Sequence, residues 1–391
     1  MKRRVVVTGM GVVASCGTGI EAFWSGLCKT PPEGDRRVFD FESAAWYDDA
    51  KQARRADRYQ QFAEAAARMA VKDAGGIHAE AARAGVIFAT GVGGMVSYEV
   101  QMRLFHEQGA KHVSPFLVPM MMPNGAGAAI SLRHDLRGPS ETITTACAGG
   151  THALGNAARL IAQGRCDVML TGGSEAPMSD LGFVGFRNLR ALSRSGRSMP
   201  FDRERDGFLL AEGAAVLILE ERERAERRGA RIYAEVLGSA SNSDAFHLTA
   251  PRADGSGAAD CMRLALEDAG LAVDDIVHIN AHGTSTPLND AAEARAIHTV
   301  FGSHRPQVTS IKGVTGHPLA AAGALEGVAL ALSLHRGLLP PTLGLSNPDP
   351  ELPNLDYVMG EVREWQPGPS LSNSFGFGGH NGCVVMGPYR K

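Results

Sequence analysis

Cys147, His282 and His317 each occupy a short turn rich in glycine or alanine, and together they could carry nucleophilic chemistry. Cys147 lies in TITTACAGGTHALGNAARLI, residues 142 to 161, where β-branched residues give way to a helical pattern. If a helix begins just after it, unpaired N–H groups and the positive end of the helix dipole favour thiolate over thiol. A lone cysteine is more often a small packing residue. Here the flanking Ala146, Ala148, Gly149 and Gly150 leave room around the sulfur, which packing alone does not ask for. His282 follows the strand-like DIVHIN in NAHGTSTP, and His317 lies in KGVTGHP. Two imidazoles at such strand ends supply either a general base for the thiol or N–H donors to an oxyanion. Lys312, five residues before His317, is a candidate electrostatic partner, and Glu326 lies nine residues beyond His317 in an apolar helix. In NSFGFGGHNG, residues 373 to 382, four glycines can aim backbone N–H groups at a ligand, with Phe375 and Phe377 as movable apolar gates. No G-x-x-x-x-G-K-[ST] or strand-bounded G-x-G-x-x-G accompanies this loop, so an oxyanion site fits better than phosphate binding.

Positioning these turns requires strands and helices in alternation, and the chain provides it. Val/Ile/Thr-rich segments (RRVVVTG, AGVIFATG, CDVMLTGG, DIVHINAHG) alternate with Ala-rich helical ones (AEAAARMAVKDAG, ADCMRLALEDAG), which predicts an α/β protein with buried parallel strands. A helix ending in DAG, a connector, a strand and a glycine turn occur at 63–91 and again at 262–283. The Cys147 region, 142–164, is echoed at 308–332 by VTSIKGVTGHPLAAAGALEGVALAL. Such spacing predicts two duplicated halves, 1–240 and 241–391, stacked so that both small-residue helices meet at the centre and bring their turns together. The charged segments 35–58 and 190–207 read as surface excursions, and the Pro-rich run from 338 to 357 as a connection over the surface of the second half.

Of 391 residues, 44% are hydrophobic and 21% charged, and the net charge is -3, which removes nucleic acid as an expected partner. The six cysteines, at 16, 28, 147, 166, 261 and 383, are scattered without a CxxC pair or zinc spacing, so neither a disulfide framework nor a metal site is expected. Glycines and a threonine break the N-terminal apolar run, which reads as a first strand and not a signal peptide. No stretch of about 18 apolar residues predicts a membrane span. A cytoplasmic protein is the expectation.

In this order, TACAGG, NAHGTSTP, KGVTGHPLAAAGALE and NSFGFGGHNG resemble the β-ketoacyl-acyl carrier protein synthases of the synthase II type, ketosynthases of the thiolase-fold superfamily. The likeness runs over essentially the whole chain. It implies a thiolase-like fold of duplicated α/β halves forming a layered α-β-α-β-α core. It also implies decarboxylative Claisen condensation of a Cys-bound acyl group with malonyl-acyl carrier protein, in fatty acid or polyketide synthesis. On the matching positions, Cys147 would be the acylated nucleophile, His282 and His317 would support decarboxylation, Lys312 would orient or charge-stabilise His317, and Glu326 would support Lys312. Backbone N–H groups of Cys147 and Phe377 would form the oxyanion hole, with Phe377 and Gly378 at the gate. Thr284 and Thr286 would hold the phosphopantetheine arm, Val92 and Phe186 would line the acyl pocket, and Arg54, Arg55 and Arg190 would dock an acidic acyl carrier protein. No cofactor of the chain's own is implied, since phosphopantetheine arrives on that carrier. The resemblance further implies a homodimer, or a heterodimer with a chain-length-factor-like subunit, through residues 113–145 with Met120 to Met122 as packing. A non-catalytic, carrier-binding subunit is the alternative, against which stand the retained Cys147, His282, His317 and Lys312. Three departures stand out: His380 where the family usually has Thr, a shortened 40–55 region, and Val92 where a bulkier aliphatic residue is common.

Overall fold

The computed structural model describes residues 3–29, 31, 34 and 36–390; residues 1 and 2 of the N-terminal run and residue 35 of the first charged segment lie outside them. Leaving aside strands of two residues, five of the described strands build the first half: β1 (Val5–Ala14), β2 (Ala84–Ala89), β3 (Ser140–Ile143), β4 (Val168–Glu175) and β5 (Gly213–Glu221). Five more build the second: β6 (Ala234–Ser243), β7 (His278–Asn280), β8 (Gln307–Thr309), β9 (Ser370–Gly376) and β10 (His380–Gly387). Their spatial orders are β3-β2-β4-β5-β1 and β8-β7-β9-β10-β6, the same path traced twice. The halves join where Val5–Val7 of β1 pairs antiparallel with Ala234–Val236 of β6. The sequence boundary at residue 240 therefore falls inside β6, which the strand order assigns to the second half.

Expectation and structure differ on strand direction. β3, β2 and β4 run parallel, as do β8, β7 and β9, but β5 and β1, like β10 and β6, return antiparallel. The reason is visible at Phe377–Gly379, a connection so short between β9 and β10 that only a hairpin can form. Fully buried strands read alike in either direction, so composition could not separate the two.

Six helices matter for the site: α1 (Arg58–Asp73), α2 (Met95–Gln108), α3 (Gly149–Ala162), α4 (Ser256–Ala269), α5 (Pro287–Phe301) and α6 (Ala322–Arg336). α3 and α6 pack on each other and on strands of both halves, while α1 covers β1 and β5 and α4 covers β6 and β10. The layers are thus helix, sheet, helix, sheet, helix. Every residue of α6 from Ala322 to Leu334 is buried, which a helix apolar on all sides requires of its surroundings. The central crossing needs glycine. A Cβ on Gly150 would fall 2.6 Å from the Ala324 nitrogen, and one on Gly323 would fall 2.4 Å from Thr151 Oγ1.

The peripheral segments are only partly peripheral. Arg36, Val38, Ala53 and Asp57 are buried in the first, and Ser198, Met199, Phe201 and Asp202 in the second. The Pro-rich connection begins inside the protein: Thr342 is fully buried and accepts a hydrogen bond from the Ser310 N–H at 3.0 Å. These stretches close over the ends of the sheet near the two histidine turns, a placement that local charge does not encode. Among the described residues all six cysteines are free, and no helix is long and apolar enough to cross a membrane.

Candidate active site

β3 leads into a one-turn helix, Ala146–Ala148, and then α3, so Cys147 stands at the tip of a sharp elbow. Ala146 adopts φ 47°, a left-handed conformation that costs a non-glycine residue about 1 kcal/mol or more and is held only by its surroundings. Gly376 lies against the elbow, and a Cβ there would sit 3.1 Å from the Cys147 nitrogen. The backbone N–H groups of Phe377 and of Cys147 itself both favour a charged sulfur. These are the two N–H groups an oxyanion formed at this residue would call on.

His317 Nε2 lies 3.0 Å from Cys147 Sγ. Its backbone is fixed on both sides, since its N–H donates to Leu209 O at 2.8 Å and its carbonyl accepts from Ala211 N–H at 3.3 Å. Phe208 and His282 each meet its ring edge-on, with centroids 5.2 and 5.3 Å away. Ring nitrogens of His282 and His317 and the Cys147 sulfur all fall within 4.8 Å of one another. His282 is held by Glu293 of α5, whose two carboxylate oxygens accept the His282 and Gly283 N–H groups, each at 2.8 Å.

Lys312 is buried and forms an ion pair with Glu326 of α6. Its Nζ also donates to the His282 carbonyl at 2.6 Å and reaches His282 Nδ1 at 3.3 Å. An ammonium has no acceptor, so Nδ1 must accept and the His282 proton resides on Nε2. The expected Lys312–His317 partnership is corrected by this geometry: five residues separate them in sequence, but the turn between them sends the Lys312 side chain to the other histidine. Glu326 continues to Ser374 Oγ at 3.5 Å and, through it, to Thr151 Oγ1 of α3 at 2.8 Å. One polar chain links the elements that carry Cys147, His282 and the glycine loop.

Residues 32–225 match the model of the beta-ketoacyl synthase N-terminal domain, and residues 233–346 that of the C-terminal domain. The chain belongs to the β-ketoacyl synthase family. It is 42% identical to the 3-oxoacyl-[acyl-carrier-protein] synthase 2 of Coxiella burnetii, with 98% of each chain covered, and 40% identical to that of Synechocystis sp., covering 100% of this chain and 99% of the other. Among solved structures, a β-ketoacyl synthase from Burkholderia phymatum superposes with a TM-score of 0.92 at 35% identity. A type II polyketide ketosynthase in complex with its acyl carrier protein gives 0.90 at 34%; both alignments cover 100% of each chain.

Within this β-ketoacyl synthase, other residues singled out by sequence fall in varied places. Thr284 and Thr286 hydrogen-bond each other through their hydroxyls at 2.9 Å, and Thr286 caps α5. Phe186 packs with Phe208, Leu210 and Leu319 in the apolar cluster around Cys147. Val92 is 38% exposed just before α2, and its N–H is held by Glu175. At the gate, the Gly378 N–H donates to Leu248 O at 2.7 Å. The His380 ring lies against the open face of Gly378, outside the Cys147 cluster. Arg54, Arg55 and Arg190 are all exposed, and Arg55 stacks over Phe116 at 4.6 Å.

One reading of Cys147 is also corrected. Cys147 as a residue is only 7% exposed, and its neighbours Gly149 and Gly150 are used for close packing against Ala320 and Ala324, not for space around the sulfur. Burial pushes the thiol up to about 12, against the lowering effects of the Lys312 charge and the Phe377 N–H. Desolvation thus outweighs the Lys312 charge. Burial, then Lys312, pulls both histidines well below 6.5, which keeps them neutral and able to accept a proton. Alkylation of the free enzyme by iodoacetamide should accordingly rise across pH 7 to 10, since the thiolate fraction of a group with a raised value keeps growing with pH. A rate plateau below pH 8, read by intact mass, would show a thiol already ionised at neutrality.

Sequence reasoning missed Glu293 and Glu175. Each is fully buried, each is pushed up to about 7 by burial, and each accepts backbone N–H groups of a loop following the second strand of its half. The only hint was an acidic residue closing the apolar strand VMLTGGSE.

Proposed function

We propose that the chain is an acyltransferase catalysing decarboxylative Claisen condensation between a Cys147-bound acyl group and malonyl-acyl carrier protein. The 3.0 Å approach of His317 Nε2 to the Cys147 sulfur, with His282 beside it, carries this reading. Cys147 attacks the acyl thioester, His317 takes the thiol proton, and that proton leaves on the carrier's pantetheine thiol. His282, with its proton on Nε2, then donates a hydrogen bond to the malonyl thioester oxygen while the carboxylate departs as carbon dioxide, with His317 beside it. The resulting enolate forms a carbon–carbon bond to the acyl carbonyl, whose oxyanion rests on the Cys147 and Phe377 N–H groups. Collapse releases the Cys147 sulfur as thiolate, which takes from solvent the one proton the overall reaction consumes, and yields β-ketoacyl-acyl carrier protein.

Every step so written is served by hydrogen bonds and one proton relay through His317, so this reading calls for no cofactor of the chain's own. Cys147, His282 and His317 form a donor set that zinc could accept. The Lys312 ammonium, 3.3 Å from His282 Nδ1, opposes a second cation there. Turnover in excess EDTA should equal turnover without it, and a loss restored by zinc would assign a metal. Thr284 and Thr286 would contact the incoming phosphopantetheine, and Arg54, Arg55 and Arg190 the acidic carrier. A dimer, with itself or with a chain-length-factor-like subunit, would form along β3. This strand is paired on one side only, and Val118, Met121, Met122 and Leu132 are exposed nearby. A reducing cytoplasmic setting would keep Cys147 a thiol. The test is incubation with acyl- and malonyl-acyl carrier proteins, with mass spectrometry of protein and product. An acyl adduct on Cys147 together with β-ketoacyl product supports the reading, and absence of both leaves a non-catalytic carrier-binding subunit.

A further inference from the structure

The buried carboxylate of Glu175, at the end of β4, takes no part in the mechanism above, yet it joins two separate walls of the site. Its Oε1 accepts from Thr90 Oγ1 at 3.0 Å and from Val92 N–H at 3.2 Å. Its Oε2 accepts from Gly91 N–H at 2.7 Å and from Ala320 N–H at 3.2 Å. Three donors lie on the loop that follows β2. The fourth belongs to the one-turn helix Leu319–Ala321, immediately after His317.

That turn is strained where it meets the nucleophile. Leu319 adopts φ 41°, in the left-handed region, while its side chain packs in the apolar cluster around the Cys147 sulfur. A non-glycine residue held there costs about 1 kcal/mol or more, so something must hold it. The bond from the next N–H, that of Ala320, does so. Two glycines make room for the arrangement. A Cβ on Gly91 would fall 2.9 Å from Glu175 Oε2, and one on Gly173 would fall 2.9 Å from the Ala320 carbonyl. Only an ionised carboxylate offers acceptors alone to four donors, and a glutamine of equal size would turn an amide N–H₂ toward at least one of them.

We infer that Glu175 is a positioning and specificity-determining residue, fastening the Gly91–Val92 loop and the Leu319–Ala320 turn into one wall, so that the acyl chain on Cys147 and the His317 imidazole share a single rigid boundary. The inference rests on the acyl-enzyme reading of Cys147. A long acyl chain presses on this wall and a short one does not. Loosening the wall therefore changes discrimination between chain lengths as well as the rate.

The experiment compares wild type with Glu175→Gln, and with Ile297→Val as a core control remote from this wall, using short- and long-chain acyl carrier protein primers with malonyl-acyl carrier protein. Glu175→Gln is expected to lower kcat/KM and to change the long-to-short ratio by about threefold or more, since one buried donor loses its acceptor. Ile297→Val should leave the ratio where it was. An unchanged ratio in Glu175→Gln overturns the proposal. Should that variant fail to fold, amide hydrogen exchange on wild-type enzyme before and after acylation by a long-chain primer decides the matter. The N–H groups of Gly91, Val92 and Ala320 should change protection together, and a response confined to Gly91 and Val92 refutes the coupling. Absence of β-ketoacyl product from the wild type defeats the condensation reading itself, and this proposal with it, whereas product with an unchanged ratio defeats only the role of Glu175.

Discussion

Cys147→Ala should abolish acyl loading and condensation together, with turnover falling by about 10⁴-fold or more, the scale on which removal of a covalent nucleophile acts. The fold should survive, because the residue is small, its backbone conformation is imposed by neighbours, and alanine already occupies both adjacent positions. The expected loss at the site is one sulfur and its contacts with His317, Phe208, Leu210 and Leu319. Intact mass after exposure to an acyl-acyl carrier protein gives the direct readout: an adduct on wild type and none on the variant. A persistent adduct would place the acyl group on one of the other five cysteines. Of these only Cys16 and Cys28 are even partly exposed.

Lys312→Ala should cost both stability and activity. The variant leaves Glu326 buried without its ion-pair partner, and breaking one side of a buried pair costs about 3–5 kcal/mol. Glu326 already lies above its ordinary 4.5 because burial outweighs Lys312, and losing Lys312 raises it further. A raised carboxyl favours the folded state at low pH, so the stability deficit of the variant should shrink toward pH 4.5 and widen as pH rises. Activity follows a separate route, since Lys312 fixes the His282 carbonyl and the tautomer of its ring. Replacing both partners, as Lys312→Met with Glu326→Leu, should return most of the urea midpoint while turnover stays down by about 10²-fold, the scale on which a misplaced oxyanion donor acts. Recovery of turnover in the double variant would show that the ion pair serves only the fold.

What the sequence disclosed was confined to residues whose surroundings are also local in sequence. Cys147, His282, His317 and the glycine loop each sit in a turn whose small residues announce close backbone approach, and the repeat of strand, turn and helix brought two of them together. Lys312 was recognised, but its partner was not, because its contact with His282 depends on how β8 lies beside β7. Glu175 and Glu293 were invisible for a related reason. A carboxylate that receives backbone N–H groups from another segment needs no particular neighbours of its own. Burial of the thiol was not legible, because it depends on Phe208, Leu210 and Leu319, which converge from elsewhere. The buried ends of the charged and Pro-rich segments escaped notice because burial there is imposed by the elements they close against.

The crossing of α3 and α6 also acts as a ruler. Gly150 and Gly323 let the two helices meet at backbone contact, and these helices begin just beyond Cys147 and His317 respectively. The sulfur-to-nitrogen interval is therefore graduated in backbone van der Waals radii and not in side-chain lengths. Rotamer changes among the surrounding leucines leave that scale untouched, whereas a single methyl group added at the crossing would recalibrate it for nucleophile and base at once.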